Sequence, residues 1–252
     1  MTFFASLRKE LLELWRCYRF LVTAVILLVF GLGSPLLAKS MPQLIKMMPG
    51  AERFAALIPQ PTFADAISQY VKNISQFGIV LAVLMTMGSV VQEKEKGTAS
   101  MVLAKPLPRS FFLLAKFAAL CLNFFISLVL ASLGGFYYTL VLFHAPHFSA
   151  WLALNILIFL SLAVYVSMTL FFSTLFRSQW AAAGLGLSII ISLSALSSFP
   201  GLGKYLPSSL FSWGASLVIG NEASAWPAFV ISLALILISL LASWLVFKRQ
   251  EL

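Results

Sequence analysis

Charge is what this sequence has least of. Only 10% of its 252 residues are Asp, Glu, Lys or Arg, where a soluble domain carries about 25%, and a surface so poor in charge cannot face water. Cysteine is also scarce: Cys17 and Cys121 are the whole complement, which excludes a disulfide framework. Of the two histidines, His144 and His147, neither has acids or thiols beside it, so a metal-ligand set is not indicated. No nucleophile, base and acid fall together in the apolar segments, so the chain is not expected to be an enzyme by itself. A phosphate-binding loop is missing too. Gly203 and Lys204 are followed by Tyr205 where Ser or Thr is needed, and Ser198 stands where the first Gly belongs. No cofactor, ATP included, is therefore expected on this chain.

What is abundant is apolar. Hydrophobic residues make up 61% of the chain and mean hydropathy is +0.98. Uncharged runs occupy residues 20–38, 73–92, 117–143, 148–176, 178–203 and 223–247, each close to or beyond the roughly 20 residues that cross a hydrocarbon core. They leave no room for a soluble domain, so residues 1–252 read as a single all-α membrane domain of six transmembrane helices. The first run is too long for a signal peptide and ends in Leu36, Leu37 and Ala38 rather than a small-residue cleavage site, so it reads as a retained helix.

Ahead of it, Phe4, Leu7, Leu11, Leu14, Trp15 and Tyr18 share one helical face, and Arg8, Lys9, Glu10, Glu13 and Arg16 the other. Such a helix suits the membrane interface. The net charge of +9 sits at the ends of apolar runs and in short connections, which speaks for orientation in a membrane and against nucleic acid as a partner. Twelve of the seventeen Lys and Arg fall on the side shared by both termini and the loop between the second and third runs. That side should be cytoplasmic, in a multi-pass cell-membrane protein.

Pro61, Thr62 and Asp65 look like a helix start with an N-cap and an acid in the first turn. The second helix is then expected to run from Phe63 to about Lys96, roughly 50 Å, against a hydrocarbon core of about 30 Å. His144 to His147, with Pro146 inside, read as a tight hairpin, and Arg177 as little more than a corner. In the fifth run Gly184, Ser188 and Ser192 place small residues on one face, a candidate helix-packing or dimer face. Beyond the breaks at Phe199, Pro200, Gly201 and Gly203, Leu206 to Gly220 is too short to span, and reads as a re-entrant or interfacial segment.

None of the six runs contains Asp, Glu, Lys or Arg. An ion-coupled carrier ordinarily keeps an ionisable group near the midplane, so that class, or a channel, is the second reading. A path through these helices would be lined by groups such as Asn123, Tyr137, Tyr138, Asn155 and Tyr165, although helix packing explains each of them as well.

The informative stretch is the loop from Gln92 to Ser110. Gly97 suits the position that closes a helix. Thr98 can cap a short helix that stops before Pro106, and Ser110 can cap the third span. On so short a helix Met101, Val102 and Leu103 need a partner surface or the membrane. The run Glu93-Lys94-Glu95-Lys96-Gly97-Thr98, followed by Pro106, Arg109 and Lys116, resembles the signature after the second helix of ABC-2 type ABC transporter permeases, and the likeness extends over the whole chain. The resemblance implies an N-terminal elbow helix and a cytoplasmic coupling helix between helices 2 and 3. That helix would dock on a separate ABC ATPase subunit through Glu93, Glu95, Gly97, Thr98, Met101, Val102, Leu103, Pro106 and Arg109. It further implies a second permease subunit, in a homo- or heterodimer, with ATP and Mg held by the ATPase partner, and export as the direction of transport. Ser100 stands where an acid is usual and Pro108 where Ser is usual, so the polar pairing with the partner differs in detail.

Overall fold

Apolar segments in lipid find no water for their backbone N–H and C=O groups, and a helix satisfies each group from within. The computed structural model describes residues 3–47, 60–97, 108–143, 147–176, 178–197, 199, 201–221 and 223–250. Among these, every regular element is helical: α1 Phe3–Arg16, α2 Arg19–Lys46, α3 Phe63–Thr86, α4 Val91–Glu95, α5 Arg109–Phe143, α6 Phe148–Leu175, α7 Gln179–Ser197, a 3₁₀ turn Gly203–Tyr205, α8 Ser209–Ile219 and α9 Trp226–Arg249. Six stretches are long and apolar enough to cross a membrane: Arg19–Leu44, Phe63–Glu95, Arg109–Phe143, Phe148–Leu175, Gln179–Ser197 and Trp226–Arg249. Their number agrees with the sequence reading. The segments 98–107 and 144–146 and Arg177 lie outside the described residues.

Two helices differ from expectation. The first spanning helix does not stop near Ala38 but continues through Pro35 and Pro42 to Lys46. Prolines are tolerated in such helices where side chains and neighbours satisfy the freed backbone groups, here Gly31 O and Ala38 O. The second starts where predicted. Thr62 N–H donates to Asp65 Oδ2 at 2.8 Å, while Thr62 Oγ accepts from Asp65 N–H at 3.4 Å, a complete capping box. It does not run unbroken to Lys96, however. The helix ends at Thr86, turns over residues 87–90 and resumes as α4. Gly88 and Ser89 occupy the break, as Gly/Ser pairs often do. The amides of Val90 and Val91 instead donate to Ser173 Oγ on α6, at 3.1 and 3.3 Å.

The centre of the bundle is α6, which packs on α3, α5, α7, α8 and α9. Of its most apolar stretch 67% is buried, against 11% in α9, which leaves the outer face of α9 for lipid or another subunit. Tyr70, Trp151, Leu154 and Ile158 meet in the main core. Tyr70 O–H donates to Asn155 Oδ1 at 2.7 Å and Trp151 Nε1–H to Ser132 Oγ at 2.8 Å, so these aromatics bury their rings without stranding their polar ends.

Two backbones approach closely where α2 meets α5. Ser127, Ala131 and Gly135, spaced by four on α5, are buried, and a Cβ on Gly31 of α2 would lie 2.5 Å from Ala131 O. Small residues here let helices touch in lipid. The same role is expected of Gly184, Ser188 and Ser192, and among the described residues of this chain nothing lies within 4 Å of a Cβ on Gly184. Ser188 and Ser192 are exposed, and their hydroxyls donate to Gly184 O and Ser188 O at 2.7 and 2.8 Å. The short segment before the last span is the helix α8, closed by Gly220 at φ +89°. A Cβ on Gly214 would fall 2.6 Å from the Leu154 side chain, so α8 presses into α6 as well as lining the bundle's end.

Candidate functional site

The residues flanking segment 98–107 converge on a buried set of charges. On α1, Ser6, Glu10 and Leu14, spaced by four, are buried, and α1 packs chiefly on α5. This reverses part of the sequence reading, which placed Glu10 on an outward charged face. Phe4, Trp15 and Tyr18, of the apolar face, are exposed at 77%, 67% and 69%. The cause is Lys116. Helix α5 begins at Arg109, next to the Ser110 at which the sequence places its cap, so Lys116 sits in its second turn, 2% exposed, and requires an anion.

It finds two. Lys116 Nζ is 3.0 Å from Glu10 Oε2 and 2.9 Å from Glu93 Oε1, and lies 5.0 Å from the Phe112 ring centroid. Glu93 Oε1 is also 2.8 Å from Lys9 Nζ, which in turn lies 3.2 Å from Glu10 Oε1 and 4.0 Å from Glu13 Oε2. Partial burial pulls the Lys9 pKa down, but its hydrogen bond to Glu93 and the charges of Glu10 and Glu93 outweigh this, and the net direction is above the ordinary lysine value. The Glu10, Glu13 and Glu93 carboxylates fall within 4.8 Å of one another, a spacing that also suits a cation. Here the ammonium groups of Lys9 and Lys116 answer them, and the cluster is an ion-pair network. Breaking a buried pair from one side typically costs about 3–5 kcal/mol, because the other charge stays buried without its partner.

Hydrogen bonds extend the junction sideways. Arg19 donates to Gln92 Oε1 at 3.1 Å, Gln92 Nε2 to Gln179 Oε1 at 2.8 Å, and Lys94 Nζ to Thr174 O. Across segment 98–107, Arg109 caps the last turn of α9. Its guanidinium donates to Phe247 O, Lys248 O and Gln250 O at 2.8, 2.9 and 3.1 Å, groups that a helix C-terminus leaves without internal partners.

The predicted site residues thus separate. Glu93 faces inward and joins α4 to α1 and α5. Glu95 and Gly97 are exposed at the end of α4, where Gly97 takes φ +66°, the left-handed conformation of a helix-closing glycine. Arg109 is engaged with α9. Thr98, Met101, Val102, Leu103 and Pro106 lie outside the described residues. Glu10 and Ser173 were not singled out from sequence. A partial signal was present, since an acid on the amphipathic helix, Glu10 or Glu13, can pair with Lys116 next to an uncharged run.

With this geometry in place, the comparison with known proteins is decisive. The family model of the ABC-2 family transporter protein matches residues 4–252. The chain belongs to the ABC-2 transporter family. It is also similar to "Uncharacterized transmembrane protein YxlG" of Bacillus subtilis (strain 168), 27% identical over 253 residues, which cover 98% of this chain and 97% of that protein. As a member of the ABC-2 family the protein is a membrane transport component. The junction gives its loop signature a physical meaning: Glu93 and Lys116, at the two ends of that signature, are bonded to each other.

Proposed function

We propose that this chain is the membrane-spanning permease subunit of an ABC exporter, with both termini and segment 98–107 in the cytoplasm of a cell-membrane protein. In this reading residues 98–105 form the coupling helix, which docks on a separate ATPase subunit that binds ATP and Mg. Two permease subunits, identical or not, enclose the substrate pathway. The observation that carries the reading is the ion junction. Segment 98–107 leaves α4 at Gly97 and enters α5 at Arg109, and Glu93 and Lys116 tie both helices to α1. A push on the segment therefore reaches three elements at once, and through Arg109 a fourth, α9.

The supporting measurement is co-purification of a soluble ATPase with the chain, together with ATP-dependent transport by the complex. Leu103→Asp should abolish association and transport while membrane levels hold, because a charge in an apolar contact stays unpaired or forces dissociation. Transport by the chain alone under an ion gradient would overturn the reading in favour of a carrier.

A further inference from the structure

The junction holds two cations and three carboxylates, and the surplus lies on a single element. Lys9, Glu10 and Glu13 belong to α1 and Lys116 to α5, whereas Glu93 belongs to α4. Without Glu93, two lysines and two carboxylates remain. Glu10 still reaches both ammonium groups, at 3.2 and 3.0 Å, and Glu13 Oε2 already stands 4.0 Å from Lys9 Nζ. A cavity of about 20 Å³, room for about one water, adjoins the junction and is lined by Glu10, Glu13, Arg19 and Lys116. The contact of α1 with α5 is electrostatically complete without α4. The converse does not hold, because without Glu10 nothing on α1 is bonded to Lys116.

At its other end α4 is pinned. Val90 and Val91 are 0% exposed and their amides are held by Ser173, immediately after the break at Gly88 and Ser89. A helix fixed at its first residues, preceded by a break and tied beyond them by the Glu93 ion pairs and by the hydrogen bonds of Gln92 and Lys94 has the parts of a hinged arm.

We propose that Glu93 is a releasable tether. When the far end of α4 is drawn away, Glu93 leaves the junction and Glu13 takes its place on Lys9, while Glu10 keeps Lys116 and α1 stays seated on α5. Both arrangements pair every buried cation, and this is what makes the element two-state rather than gradually deformable. The reading of segment 98–107 as a docking site explains why α4 would be drawn away. The handover itself is a property of the chain alone.

Hydrogen exchange on the full chain in lipid nanodiscs tests the handover. Glu93→Gln should raise exchange across residues 87–97 by about tenfold or more and leave α1 and the first turns of α5 protected. Glu10→Gln should loosen α1. Glu13→Gln should be nearly silent alone but expose α1 when combined with Glu93→Gln, a non-additive pair between groups that are not bonded. The proposal is overturned if Glu93→Gln accelerates α1 as much as 87–97, or if the two substitutions add simply. It is overturned too if Glu93→Gln prevents folding, since a releasable group cannot be one the fold requires. The expected pattern in a chain with no ATPase partner would remove the permease reading and leave the tether. An ATPase partner without the pattern would do the reverse.

Discussion

Lys116 Nζ and Glu10 Oε2 lie 3.0 Å apart across 106 positions of sequence, and the bond brings a helix outside the six spans against the start of the third. Glu93 shares the same lysine. Removing one partner of such a group leaves the rest buried and uncompensated, whereas removing all the charges together can be nearly neutral.

Lys116→Met is therefore expected to destabilise the protein by about 3–5 kcal/mol, read as a fall in thermal midpoint of the detergent-solubilised chain. The triple variant Lys116→Met, Glu10→Gln, Glu93→Gln should recover much of that loss. Equal midpoints for wild type and Lys116→Met would show that the junction contributes nothing to stability.

Gly31 and Gly184 make a paired test of packing. Gly31→Val drives a side chain into the Ala131 backbone and should cost about 1–3 kcal/mol, as overpacking does. Gly184→Leu meets open space, so the monomer should keep its midpoint. If that face is a subunit contact, cross-linking between copies should fall instead.

Ser173→Ala removes the acceptor of the Val90 and Val91 amides. Two buried donors then lack a partner, at about 1–3 kcal/mol for each group left unsatisfied. Faster hydrogen exchange at residues 87–91 with the rest of α6 unchanged is the expected signature. Unchanged exchange would mean that the break is held by other bonds.

Gly97→Val forces a β-branched residue into φ +66°, a conformation costly for any side chain and most for a branched one. Association with the ATPase subunit and transport should fall while insertion stays normal. Full activity would indicate that the exit direction from α4 does not matter for docking.

Reporters placed near Lys96 and after Arg249 should lie on the same side of the membrane, with one near Pro49 on the other. A C-terminal reporter opposite the Lys96 one would sink the six-span order.

Much of this architecture follows from local chemistry. Length and hydropathy determine six spans because an uncharged run of roughly 20 or more residues satisfies its own backbone in lipid only as a helix. Thr62 and Asp65 determine where α3 starts, because the two bond to each other and to nearby amides within three residues. Gly97 marks the end of α4 through its own backbone preference, and the loop signature between Glu93 and Lys116 was enough to suggest the family. What the sequence alone does not determine is which residues meet across the bundle. Gly31 packs on Ala131 while a Cβ on Gly184 meets nothing within 4 Å among the described residues, and a small residue looks the same in sequence whether it touches a helix or faces outward. The break at Gly88 is stable because Ser173, 83 positions away from Val90, accepts the freed amide. Glu10 turned inward for the same kind of reason: amphipathicity places the acids of α1, Glu10 and Glu13, in water, and only a buried lysine brought next to Glu10 by the fold reverses that preference.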